Sequence, residues 1–173
     1  MDYGAALLAD RSKVNIQRIA DHIGGDAKRF AQLMELVLHG APRVSQLASW
    51  PMSIACEGHP ALGARWAKRM LEMLEQPLHQ TTHRNVIRAM QFCQLPKALH
   101  GTITQRMFAI VQDPRQPIAS RASSMTVAMR MATHYPDLAP ELSLILEEAL
   151  RTGPGPAVTS RARKALHTLA RIR

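Results

Sequence analysis

The sequence predicts an all-α fold, tandem pairs of antiparallel helices stacked as an α-α superhelix. Three observations predict it. Stretches of roughly 12–18 residues with apolar positions three and four apart recur along the chain, divided by Pro and Gly. Period-2 alternation is absent, and at 4% aromatics the chain is short of the residues that sheets prefer. One apolar stripe also returns at steps of 36, 37 and 39 residues, the mark of tandem repetition rather than of a closed bundle.

Nine helices follow in order. The first is expected over 12–23 and ends at Gly24-Gly25. Asp26 caps the second, 27–39, whose stripe is Phe30, Met34, Val37 and Leu38 and which stops at Gly40. Pro42 opens the third, 42–57, where Val44, Ala48, Met52 and Ala55 share a face and Pro51 should bend the axis. After Gly58-His59-Pro60 comes 60–75, with Leu62, Trp66, Met70, Met73 and Leu74, and then 79–93, with Val86, Ala89, Met90 and Cys93. Leu95-Pro96 leads into 96–112, carrying Leu99, Ile103, Met107, Ile110 and Val111. Asp113-Pro114 turns the chain into 117–134, with Ile118, Ala122, Met125 and Met129 inward. Tyr135-Pro136 precedes 137–151, with Leu138, Leu142, Leu146, Ala149 and Leu150. The rigid turn Gly153-Pro154-Gly155-Pro156 precedes 157–172, with Val158, Ala162, Ala165 and Leu169. Connections this short force successive helices to lie antiparallel.

The segment Val111-Gln112-Asp113-Pro114-Arg115-Gln116-Pro117-Ile118-Ala119-Ser120-Arg121-Ala122 is a helix end, an Asp-Pro turn, and a branched residue followed by Arg and Ala. In this it resembles the HEAT repeat. The resemblance covers nearly the whole chain as one domain, 1–173, with repeats at 27–58, 60–94, 96–135 and 136–173 and helix 12–23 as an N-terminal cap. Asp113 alone fills the turn position, since the other turns read His-Gly-Ala-Pro, Gln-Pro-Leu-His and Thr-Gly-Pro-Gly. The resemblance implies four helix pairs in a right-handed solenoid that scaffolds other macromolecules on a concave side lined by the second helices.

Composition narrows the class. With 46% apolar residues among 173, the chain can bury a core, and two cysteines make no disulfide framework. No apolar run approaches the ~20 residues of a membrane span, and the N-terminus lacks a basic region ahead of an apolar one, so a cytoplasmic protein is expected. Charge is sorted by helix. The first helices of the pairs carry eight basic and eight acidic residues. The second helices carry ten basic residues, nine of them Arg, and one acid, Glu57; this net +9 equals the formal charge of the whole chain. Arg43, Arg84, Arg88, Arg121, Arg161 and Lys164 lie beside the apolar register and are expected to form one basic face. Arg suits bidentate contact with carboxylate or phosphate, and one-signed charge in a concavity attracts polyanions. The expected partner is a protein with an acidic surface, with nucleic acid as the alternative. The competing readings are a solvated basic face, or arginines bonded to main-chain carbonyls at helix ends.

Chemistry-bearing constellations are few. His79 and His83 have the spacing of two zinc ligands on a helix, yet no third ligand or adjacent Glu accompanies them. Cys93 lies on the core stripe and Cys56 near the end of the preceding second helix; both are expected reduced. Trp66 belongs to the stripe, whereas Trp50, before Pro51, is the candidate aromatic contact for a base. Phosphate loops and nucleophile elbows are absent, so no cofactor, metal or small-molecule substrate is indicated and no enzyme is expected. A distant alternative is a relative of the HEAT-like alkylpurine DNA glycosylases, which need a carboxylate at a flipped base; Glu57 is the one acid placed for it.

Overall fold

A computed structural model of the chain describes residues 1–152 and 155–172. Gly153 and Pro154 of the predicted last turn, and Arg173 of the basic count, lie outside the described residues. The described residues are helical and contain no strand. They form two compact units, Met1–Pro96 and Lys97–Arg173.

The first unit opens with a helix that the periodicity did not predict, α1 (Tyr3–Ala9), started by Asp2, whose carboxylate accepts from the Ala5 amide at 3.0 Å. Ser12 caps α2 (Lys13–Ile23) and Asp26 caps α3 (Ala27–His39), each satisfying amides that the first helical turn leaves without partners. Buried Asn15 ties α1 to α2: its Nδ2 donates to the carbonyls of Ala6 at 3.0 Å and Asp10 at 2.7 Å. Next, α4 (Pro42–Gly58) runs unbroken through Pro51, which has no N–H for the carbonyl of Leu47. The predicted helix 60–75 divides into a single turn, α5 (Ala61–Ala64), and α6 (Ala67–Leu74).

That break has a packing cause. A Cβ on Gly63 would collide with Sγ of Cys93 and lie 3.2 Å from Sγ of Cys56, so α5 rests directly on both sulfurs. The chain then re-aims at Arg65 and Trp66 before α6 packs on α7 (Gln80–Phe92). In consequence Trp66, expected in the core, stands half-exposed beside Gly25, His59 and Pro60 in a cleft of about 640 Å³. Helices α1, α2, α3 and α7 all pack on α4, around fully buried Phe30, Leu33, Met34, Met52 and Met90.

The second unit holds α8 (His100–Gln112), α9 (Ile118–His134), α10 (Ala139–Arg151) and α11 (Pro156–Leu169). Here α8 lies beside α10 and α9 beside α11, with α8 on α9 and α10 on α11, which is two helix pairs stacked first on first and second on second. Ile103, Met107, Met125, Val127, Leu142 and Leu146 are wholly buried between the layers. The stripe leaders Leu99 and Leu138 are half-buried instead, because 3₁₀ turns at Lys97–Leu99 and Pro136–Leu138 lead into α8 and α10. Ile118, predicted inward, is 53% exposed at the first position of α9.

Candidate partner-binding faces

The second helices of the pairs are α4 and α7 in the first unit, and α9 and α11 in the second. In each unit they lie side by side, and side chains from both meet along the seam.

On the α4–α7 seam, serines one helical turn apart face polar groups of α7. Asn85, fully enclosed, donates from Nδ2 to Oγ of Ser49 at 3.0 Å. Arg88 donates from Nη1 to Oγ of Ser53 at 3.1 Å, pairs through Nη2 with the carboxylate of Glu57, and sits 5.8 Å from the centre of the Phe92 ring. The acid carried by these helices is therefore engaged with a guanidinium, which also occupies the carboxylate that a base-excising site would need. Arg84 is exposed, with long contacts of 3.3 and 3.4 Å to Oδ1 of Asn85, and exposed Arg43 donates to Oε1 of Gln46 at 2.7 Å. Trp50 is half-buried on α4.

On the α9–α11 seam, Arg161 donates from Nη1 to Oγ1 of Thr126 at 2.7 Å. The spacing matches the first unit: Arg88 and Ser53 are 35 residues apart, as are Arg161 and Thr126. The seam opens as a cleft of about 730 Å³ lined by Arg130, Arg161 and Lys164, with Thr126, Thr133, Ser160 and Thr168 among the hydroxyls and Met125 and Met129 beneath. None of the lining residues is acidic.

Arg121 departs from the expectation. It is 3% exposed, and its Nε donates to the carbonyl of Val111 at 3.0 Å. That carbonyl belongs to the last turn of α8, where helix geometry supplies no partner. Arg121 is thus removed from the basic face and serves the helix end. Burial draws its guanidinium pKa down, and the nearby charge of Asp113 opposes that. Asp113 itself is held down to about 2, first by the Arg115 side chain, which donates to it at 2.9 Å, and by the Arg115 amide at 3.0 Å.

The remaining candidates resolve simply. His79 is the N-cap of α7, its Nδ1 accepting from the Thr81 amide at 3.1 Å. Cys56 and Cys93 are free thiols, both wholly buried in the first unit. A hydrogen bond with Cys93, together with burial, pushes the Cys56 thiol far up, so it stays protonated. Among the described residues no group of three or more His, Cys, Asp and Glu is placed to hold a metal ion, and no helix is long and apolar enough to cross a membrane. Sequence reasoning found the cations but missed their hydroxyl partners Ser53 and Thr126; a search for polar residues recurring one repeat apart would have picked them out.

A family model described as the HEAT repeat domain matches residues 3–169. No curated protein and no solved structure gives a significant match.

Proposed function

The chain belongs to the HEAT repeat family, and we propose that it is a non-catalytic binding module that holds an acidic segment of a partner protein against the basic seams of its second helices. HEAT repeats in general serve as protein-interaction scaffolds, and stacked helix pairs are the surface such scaffolds use. The observation that carries the finer reading is the separation of charge. Arg43 and Arg84 in the first unit, and Arg161, Arg163 and Lys164 in the second, are exposed on second helices whose acidic residue, Glu57, is already paired. Cations placed only for solubility have no reason to be balanced by acids on one helix of each pair and left unbalanced on the other.

Affinity capture from lysate, with and without nuclease, tests the reading. A protein that co-purifies after nuclease treatment, and whose capture falls about tenfold or more on Arg161→Glu with Lys164→Glu, supports it. The reversal of Arg65, Lys68 and Arg69, exposed on or just before the first helix α6, serves as the control and should leave capture nearly unchanged. Equal losses from the two sets would reduce the interaction to bulk attraction.

The net charge of +9 favours nucleic acid as a second reading. In that case capture is lost to nuclease, and affinity falls with salt by a slope of about −0.9 per phosphate neutralised.

A further inference from the structure

We propose that the α9–α11 cleft of the second unit is a phosphomonoester site, built to seat a phosphoserine or phosphothreonine within the acidic segment that binds this face. The inference rests on the acidic-segment reading above and names the chemistry of one position in it.

The two seams differ in a way that bears on the ligand. On the α4–α7 seam a carboxylate of the chain already occupies Arg88, so an incoming anion must compete with Glu57. The α9–α11 cleft holds Arg130, Arg161 and Lys164 with no acid among its lining residues. A singly charged carboxylate uses one cation well. A phosphomonoester near neutral pH carries close to two charges and three acceptor oxygens, so it can use more than one of the cations that line a single cleft.

The hydroxyls support this assignment when their protons are followed. Thr133 and Thr168 donate to the carbonyls of Met129 and Lys164 one turn back, at 2.9 and 3.1 Å, so they offer no proton to a ligand. Thr126 is different: its oxygen accepts from Arg161, so its hydroxyl proton is not used in that bond. Ser160, on α11 and exposed, is a further donor. Arg161 and Thr126 therefore present a charged donor and a neutral donor that already hold one another in place, as a preorganised anion site requires.

A peptide fits better than nucleic acid. A polynucleotide calls for cations strung along a track and for flat side chains on which bases stack. This cleft holds three cations within one lining, and that lining contains no aromatic residue. The methionines and alanines on its floor suit the aliphatic part of a peptide.

The test uses the full chain and three labelled probes at physiological salt, read by fluorescence anisotropy: a decaglutamate peptide, the same peptide with a central phosphoserine, and a 20-nucleotide single strand. The expected result is about tenfold tighter binding of the phosphorylated peptide. That gain should vanish in Thr126→Val, which keeps every charge, and in Arg161→Gln; a gain retained in both variants overturns the site. Thermal melting of both variants checks that the fold is retained. If phosphoserine adds less than twofold while decaglutamate still binds, this inference is overturned and the acidic-segment reading stands. Failure of both peptides overturns both. Tighter binding of the single strand than of either peptide overturns the peptide assignment.

Discussion

Arg121→Glu should unfold the chain well before it alters any binding surface. Arg121 is 3% exposed, and its Nε is bonded to the Val111 carbonyl at 3.0 Å. Truncation to Ala removes that donor and leaves a carbonyl at a buried helix end without a partner, at a cost of about 1–3 kcal/mol. Reversal to Glu adds an unpaired negative charge facing the same carbonyl and within the field of Asp113, which raises the cost to about 3–5 kcal/mol. In a protein of 173 residues each kcal/mol lowers Tm by about 2–4 °C, so Arg121→Glu should melt about 6–20 °C below the parent. Arg161→Glu, at an exposed site, should stay within about 2 °C. Far-UV circular dichroism melts of the three variants measure this directly. If Arg121→Glu and Arg161→Glu melt together, the buried bond to Val111 is not a support of the fold, and Arg121 returns to the binding face.

Gly63→Ala should destabilise by about 1–3 kcal/mol despite the better helix propensity of Ala, because the new methyl meets Sγ of Cys93; in a Cys93→Ala background urea titration should find a smaller loss. Thiol titration of the native protein should find Cys56 and Cys93 slow to react and both released by denaturant; rapid stoichiometric labelling without unfolding would contradict their burial. Asp113, held at about 2 in the folded chain against an ordinary 3.8, contributes stability that is present above about pH 4 and is lost as pH falls through about 2. An NMR titration of its carboxyl should give that low midpoint, and Arg115→Ala should move it back toward the ordinary value.

How much of this was legible follows from what each feature depends on. Helix 27–39 is readable to the residue because Asp26 and Gly40 act locally. The seven-residue α1 is not, since it buries only Tyr3 and Leu7 and is held by Asn15 reaching back from α2, a tertiary cause that periodicity does not register. The division of 60–75 likewise comes from two sulfurs that lie beyond the segment on either side. Sorting charges by helix picked out the second-helix cations, but it records residue type and not depth. It therefore could not separate Arg121, drawn inward to a carbonyl, from Arg161 on the surface. The alternative of arginines bonded to helix-end carbonyls describes Arg121 correctly.

Under the proposed function, the pairing of Glu57 with Arg88 makes the first unit a competitor for its own ligand. An anion tethered in the chain acts at an effective concentration on the order of millimolar, so a partner carboxylate at micromolar concentration does not displace it. For an acidic segment bound as proposed, Arg84 and Arg43 would be engaged first, and Arg88 only once the segment is anchored nearby. Such an internal rival would discriminate by multiplicity, turning away short or singly charged acids and retaining a segment that presents several negative groups in succession. Exchanging Glu57 for Gln would remove the rival and widen the range of anions the first unit accepts.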